Sequence, residues 1–202
     1  NNCAFWCNPC YLIVMPIAVN GSGTITGISV GGLPDGCVDT DTLATSVTRG
    51  KILQVVQHEF TSAQFTTTSN SYVDVTGFSK SITPVAASSK ILAMLNPAIQ
   101  SNPNGTYNGG TAALLARSVA GGSYTNIAAA WMGTYMPETF VRYQDTNLNM
   151  NVLDSPTYTL GNAITYKMQV KTSDSSVTGR VNITSGGINN LASRLILIEV
   201  GA

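Results

Sequence analysis

The four cysteines are the residues of this chain best suited to binding a metal or forming a covalent bond. Cys3, Cys7 and Cys10 fall within eight residues, and Cys37 follows at a distance. The C-x3-C-x2-C spacing occurs in enzymes that hold an iron–sulfur cluster through three thiolates. A zinc site with Cys37 as the fourth ligand is a second interpretation, and disulfides are a third. We favour apolar thiols in a buried anchoring segment, and therefore predict no metal and no cofactor.

Acid–base chemistry has few candidate residues. A catalytic histidine needs a nucleophile and an orienting acid, but the neighbour of His58, Glu59, points to the opposite face of a strand. We therefore interpret His58 as a surface or core-edge residue. Glycoside cleavage needs two carboxyl groups within about 5–10 Å, and no pattern supports pairing Glu138 with Asp145 or Asp154. The sequence predicts that the protein is not an enzyme, with polysaccharide cleavage kept as a minor alternative.

Aromatic residues are densest between Tyr124 and Tyr143. Trp and Tyr combine a flat apolar face with a hydrogen-bonding edge, which suits contact with sugars and with proteins. The segment W-M-G-T-Y-M-P-E reads as a loop, so Trp131 and Tyr135, together with Tyr107, are the predicted contact residues. The alternative, which the usual burial of large aromatics favours, places Trp131 and Phe140 in the core and Tyr135 at a subunit seam.

Charge is sparse in this chain. Only 10% of the residues are Asp, Glu, Lys or Arg, against roughly a quarter in an ordinary soluble domain. Such a surface suits packing against copies of itself or against other proteins. A net charge of zero argues against nucleic acid as the main partner.

No membrane span or signal peptide is predicted. The longest apolar run covers residues 11–19 and includes Pro16, so it is shorter than the roughly 20 residues that a span needs. No basic residue precedes it, as one would in a signal peptide. Because the first residue is Asn rather than Met, we expect a processed chain or a fragment.

Residues 1–50 predict an extended, Gly-rich anchoring arm. Six glycines fall within residues 20–36, and residues 1–48 contain no Lys or Arg. The arm has too little apolar mass to fold alone, so we expect it to be ordered by docking onto other protein. Its predicted anchoring residues are those of the turn and of the short helical turn that follows: Leu33, Pro34, Asp35, Gly36 and Leu43.

Residues 51–202 predict one β-sandwich domain. Apolar residues alternate with a period of two, which indicates strands. Their number and spacing favour an antiparallel, jelly-roll-like sandwich over a parallel α/β sheet. Residues 101–110 carry several turn signals and predict an irregular loop. The predicted strands lie at 52–56, 64–68, 72–76, 79–83, 90–95, 111–119, 139–143, 148–153, 164–170, 179–184 and 194–200.

Several segments, taken in order, resemble a family of virion proteins of bacterial viruses. The arm segment G-G-L-P-D-G-C-V-D-T-D-T-L-A is similar to necks that join a particle anchor to a β-domain. The segments of the body that resemble such β-domains are 50–57, 71–84, 88–94, 153–156, 165–170 and 195–200.

This resemblance implies a jelly-roll-like β-domain, usually a homotrimer, on the virus particle. It implies a fibre-type protein that attaches to a host surface glycan or protein, or a capsid decoration protein that binds no receptor. Other virion proteins would then be its partners, and no catalytic residues are implied.

Overall fold

The computed structural model describes residues 51–61, 64–103, 108–135, 143–182 and 193–201. These residues form antiparallel strands and contain no helix, which confirms the predicted all-β sandwich. The predicted arm lies outside them. The strands are β1 Ile52–Phe60, β2 Phe65–Thr67, β3 Val73–Ile82, β4 Lys90–Asn96, β5 Ala98–Pro103, β6 Asn108–Val119, β7 Thr125–Tyr135, β8 Gln144–Asn147, β9 Met150–Asp154, β10 Ile164–Thr172, β11 Val177–Val181 and β12 Ser193–Val200.

The described chain is one long antiparallel ribbon folded at its middle. Each strand of the first half pairs with its mirror image in the second half: β1 with β12, β2 with β11, β3 with β10, β4 with β9, β5 with β8 and β6 with β7. The ribbon bends back on itself at Ala120 and Gly121, which both have positive φ (50° and 74°). The Gly122 amide donates to the Val119 carbonyl at 2.9 Å, as expected for the tight turn that suits strand twist.

Rolling this ribbon produces the jelly roll. The first sheet has the order β1-β12-β4-β9 and the second has β3-β10-β6-β7. Three further pairings, β12 with β4, β10 with β6 and β11 with β5, join the two halves of the ribbon. The third sheet, β2-β11-β5-β8, consists of segments that connect strands of the first sheet to strands of the second.

The core fills the space between the two large sheets. Strands β4, β10 and β12 bury alternate residues, as the period of two predicts. Phe60 of β1 and Phe78 of β3 stack with ring centroids 4.9 Å apart. Each fully buried large apolar side chain contributes about 1.5–3 kcal/mol. Fully buried members include Phe78, Ile91, Leu95, Leu115, Ile164, Tyr166, Met168, Leu195 and Leu197.

Three expectations from the sequence were wrong in detail. Residues 101–110 are not a single loop, because β5 extends to Pro103 and β6 begins at Asn108. Residues 73–82 form one strand, β3, rather than two, with a register shift in its pairing to β10 that accommodates Gly77. The predicted loop around Trp131 is strand β7, because pairing with β6 outweighs the weak strand propensity of its alanines and glycine.

Candidate functional site

Most of the predicted site residues lie outside the described residues. Trp131 is described in full, and for Tyr135 only the backbone is, paired with Asn108 in the β6–β7 hairpin. The predictions for the other positions stay predictions: Cys3, Cys7, Cys10, Cys37, Leu33, Pro34, Asp35, Gly36, Leu43 and Tyr107.

His58 lies at the edge of the core. Its Nε2 is 2.8 Å from the Gly77 carbonyl oxygen, and its ring contacts Phe78. Glu59 points to the opposite face and lies 3.5 Å from Arg194. The described residues contain no cluster of three or more His, Cys, Asp or Glu that could hold a metal ion. The contacts of His58 are therefore those of a structural residue.

Two of the acids considered for glycoside cleavage, Asp145 and Asp154, are described, and each is hydrogen-bonded to neighbouring side chains. Arg117 binds both oxygens of Asp154 at 2.7 and 2.8 Å. The buried Tyr166 hydroxyl donates to Asp154 Oδ2 at 2.7 Å, and burial followed by this hydrogen bond raises the pKa of Tyr166. Asp145 accepts a hydrogen bond from Gln100 at 2.8 Å. Glu138, the other member of both suggested pairs, lies outside the described residues.

The outer face of the second sheet carries a row of four side chains that we call the aromatic row. The strand register places Lys171 opposite Ala112 and Ala112 opposite Trp131. Tyr72 completes the row beside Lys171, whose Nζ lies 5.0 Å from the Tyr72 ring centroid. Two aromatic rings therefore flank a cation and a small residue on one face of the sheet.

Trp131 lies against two glycines, Gly110 and Gly133, whose lack of a side chain leaves room for the indole. A Cβ atom on Gly133 would come within 2.5 Å of Trp131 Nε1, and one on Gly110 within 2.5 Å of Cζ2. These glycines let the indole lie close to β6 and β7, and 52% of its surface remains exposed. The interpretation of Trp131 as a core residue is therefore wrong, because the register of β7 turns Met132, not Trp131, inward.

The rest of this outer face is polar and largely paired. Asp74 accepts hydrogen bonds from Lys167 at 2.8 Å and from Gln169 at 2.7 Å. The Lys167 hydrogen bond is the main cause that holds the pKa of Asp74 below its ordinary value. Lys167 also lies 3.7 Å from the ring centroid of Tyr124, which is 43% exposed. Within the described part of the chain, Lys171 has no carboxylate partner, so it is the free cation of this face.

The outer face of the first sheet carries a row of four apolar side chains that we call the apolar stripe. The register aligns Val55, Ile198, Leu92 and Leu153 across the four strands. Val55 is 56% exposed and Leu153 is 53% exposed. Ile196 and Met94 extend the stripe in the next row. Contiguous exposed apolar surfaces are typical of sites that contact protein, membrane or ligand.

Sequence reasoning missed Lys171, Tyr72 and the apolar stripe. The signal for the stripe was present in R-L-I-L-I-E-V, where both faces of the strand are apolar. Such a run predicts that both faces are covered, but it does not identify the cover. The aromatic row left no signal, because Tyr72 and Trp131 are 59 positions apart.

Comparisons with known proteins give little information. No protein-family model and no curated protein matches the chain. A solved structure described as the structure of infectious bursal disease virus Gx strain is similar over 73% of this chain and 36% of that chain, at 10% identity and a TM-score of 0.24. This chain thus spans well under half of that one, and a likeness at this TM-score carries no argument about function. None of the described residues forms a helix with the length and hydropathy of a bilayer span.

Proposed function

We propose that the chain is a fibre-type structural protein of a virus particle. Residues 1–50 anchor it to other virion proteins, and the β-sandwich projects towards a host surface. The resemblance of the arm and body segments to virion proteins of bacterial viruses supports the viral setting. The observation that carries the proposal is the apolar stripe, which indicates that this sandwich works inside an assembly.

A second copy of the chain is the occupant that we propose for the apolar stripe. The stripe reaches β1, which pairs only with β12 among the described strands and is therefore an edge strand of its described sheet. Three large apolar residues of β1 are at least 41% exposed: Ile52, Leu53 and Val55. A neighbouring copy that covers the stripe also protects this edge from uncontrolled strand pairing. Closed assemblies of identical chains solve both problems at once, and we propose a homotrimer.

The assembly is tested by measuring the mass of the purified protein in solution with light scattering and sedimentation. We expect the mass of three chains. Val55→Lys places a charge within the proposed contact and should dissociate the trimer into folded monomers, because an unpaired buried charge is strongly unfavourable. The matched control is Leu160→Lys, since Leu160 is 57% exposed on a turn between β9 and β10 and is not part of the stripe. A wild-type monomer, or a Val55→Lys trimer of unchanged stability, would contradict the proposal.

Deleting residues 1–50 tests the anchoring arm, with the mass in solution and the incorporation into virus particles as the two measurements. The shortened chain should still assemble but should no longer join virus particles, and normal incorporation would overturn the anchoring role.

The apolar stripe also fits a decoration protein that stabilises a shell and binds no receptor. Adhesion of the purified body to host cells supports the fibre role, whereas weaker shells without any adhesion support decoration.

A further inference from the structure

The aromatic row has the features of a ligand-binding surface rather than of a second protein interface. Ala112 and Leu114 face outward, yet they are only 3% and 4% exposed. Trp131 is 52% exposed on this face, and the polar side chains of Gln169, Asp74 and Lys167 lie on the same face, on strands β10 and β3. Stable protein interfaces bury roughly 800 Å² on each side around an apolar centre. A hydrated ligand with small flat apolar faces fits this surface better.

Sugar rings have this combination of properties. One face of a pyranose presents C–H groups that can lie on an aromatic ring, while its rim of hydroxyl groups stays hydrated or bonds to polar side chains. The indole of Trp131, held flat by Gly110 and Gly133, is such a platform and loses little conformational entropy on binding.

The charge and spacing of the row specify the sugar further. Lys171 lies two strands from Trp131, which corresponds to about 9–10 Å, or about two units along a sugar chain. Tyr72 lies one strand beyond Lys171 and offers a second aromatic face. Because the Lys167–Asp74 pair is neutral overall, Lys171 is left to pair with a negative charge on the ligand. A carboxylate on a sugar close to the stacked one matches this position.

We infer that the aromatic row binds a linear, carboxylate-bearing polysaccharide that runs across the strands of the second sheet. One sugar stacks on Trp131, a uronate of the same chain pairs with Lys171, and a further sugar contacts Tyr72. This inference deepens the proposed function, since it names the class of host-surface ligand, and it rests on that function for its biological setting.

Polygalacturonate and its methyl ester provide matched probes, because the two share a backbone and differ only in charge. We expect the full chain to be retained by polygalacturonate in affinity electrophoresis and to bind the methyl ester more weakly. Trp131→Ala should weaken retention by both polymers at least about tenfold, and Lys171→Gln should weaken binding of the acid form alone by about threefold or more. Raising the salt concentration should reproduce the Lys171→Gln effect in the wild-type protein.

Control variants and folding measurements keep the test decisive. Leu160→Ala, at an exposed position outside both the aromatic row and the apolar stripe, should leave retention unchanged, and Trp131→Phe should keep part of it because an aromatic face remains. Thermal melting establishes that each variant is folded. Absence of retention on polygalacturonate, alginate and hyaluronan alike, or equal retention of folded Trp131→Ala, overturns the inference. If the protein is a trimer but binds none of these polymers, the sugar-binding inference is wrong and the proposed assembly is supported. If the protein is a monomer that binds them, the sugar-binding inference is supported and the proposed assembly is wrong.

Discussion

At the scale of single residues, a buried carboxylate ties a loop to the closing strand. Glu199 of β12 is fully buried. It accepts hydrogen bonds from the Gln54 amide at 2.6 Å and from the backbone amides of Val85 and Ala86 at 3.0 and 3.2 Å. Burial raises the pKa of Glu199, but these hydrogen bonds outweigh burial and hold the pKa below its ordinary value of 4.5. The carboxylate is therefore the form that the fold selects.

This arrangement predicts a stability that depends on pH. A carboxyl group whose pKa is lowered by folding stabilises the protein fully above its unfolded pKa, and this stabilisation is lost as the pH falls below 4.5 towards the folded pKa. Glu199→Gln should destabilise the protein by about 2 kcal/mol at pH 7, because the new amide cannot accept from all of these donors. We expect urea unfolding to show that the difference between variant and wild type shrinks between pH 5 and about pH 3. An unchanged difference would contradict this role, because the wild-type carboxyl would then not titrate in this range.

At the scale of elements, the turn at residues 119–122 determines how the ribbon folds. Its two central residues have positive φ, yet one of them is Ala120. A left-handed conformation costs an alanine roughly 1–2 kcal/mol, whereas Asn and Gly adopt it readily. The turn is thus built with one strained residue, and the long β6–β7 pairing holds that residue in place.

Ala120→Asn should therefore stabilise the protein, by about 0.5–1 kcal/mol, since Asn-Gly is the preferred pair for this turn. The matched variant is Gly121→Ala, where no atom lies within 4 Å of the added Cβ. Its expected destabilisation of about 1 kcal/mol is due to backbone conformation alone. Thermal or urea unfolding measures both variants. We expect the two substitutions to change the free energy of unfolding in opposite directions. A destabilising Ala120→Asn would show that the backbone conformation of Ala120 does not reduce the stability of the turn.

At the scale of the whole molecule, the two large sheets are joined by a polar contact as well as by the core. Asp154 of the first sheet meets Arg117 and Tyr166 of the second. The side chains of Arg117 and Asp154 are only 17% and 9% exposed, so each depends on the other to compensate for its loss of water. Removing one partner of such a pair lowers the free energy of unfolding by more than the intact pair contributes, because the other charge stays buried without a partner.

Asp154→Ala should lower the free energy of unfolding by about 3–5 kcal/mol, because Arg117 and the Tyr166 hydroxyl lose their shared acceptor. The control is Asp74→Ala, which removes the Lys167–Asp74 pair, whose carboxylate side chain is 54% exposed, and should cost less than about 1 kcal/mol. Urea unfolding of the two variants under the same conditions makes the comparison. Similar losses for both would show that the contact between the sheets contributes no more than a surface ion pair.

Sequence patterns predicted some parts of this fold better than others. The alternation in residues 164–170 identified β10, since a period of two is a local property of a strand, and the apolar run in residues 194–200 identified β12. The alanine-rich β7 was missed because its stability comes from pairing with β6. For the candidate site, Trp131 was selected from its chemistry, but its neighbour Lys171 was not, because strand register brings the two together.

The amino-acid sequence by itself determined that this chain forms antiparallel strands, that it has little charge, and roughly where several strands of the body lie, such as β4, β10 and β12. These properties depend on neighbouring residues and on composition. Only the tertiary structure decided which strands pair, that Trp131 faces outward on two glycines, and that four apolar side chains align across the first sheet. A shift of one residue in register would move each of these side chains to the opposite face, and register is set by contacts between distant parts of the chain.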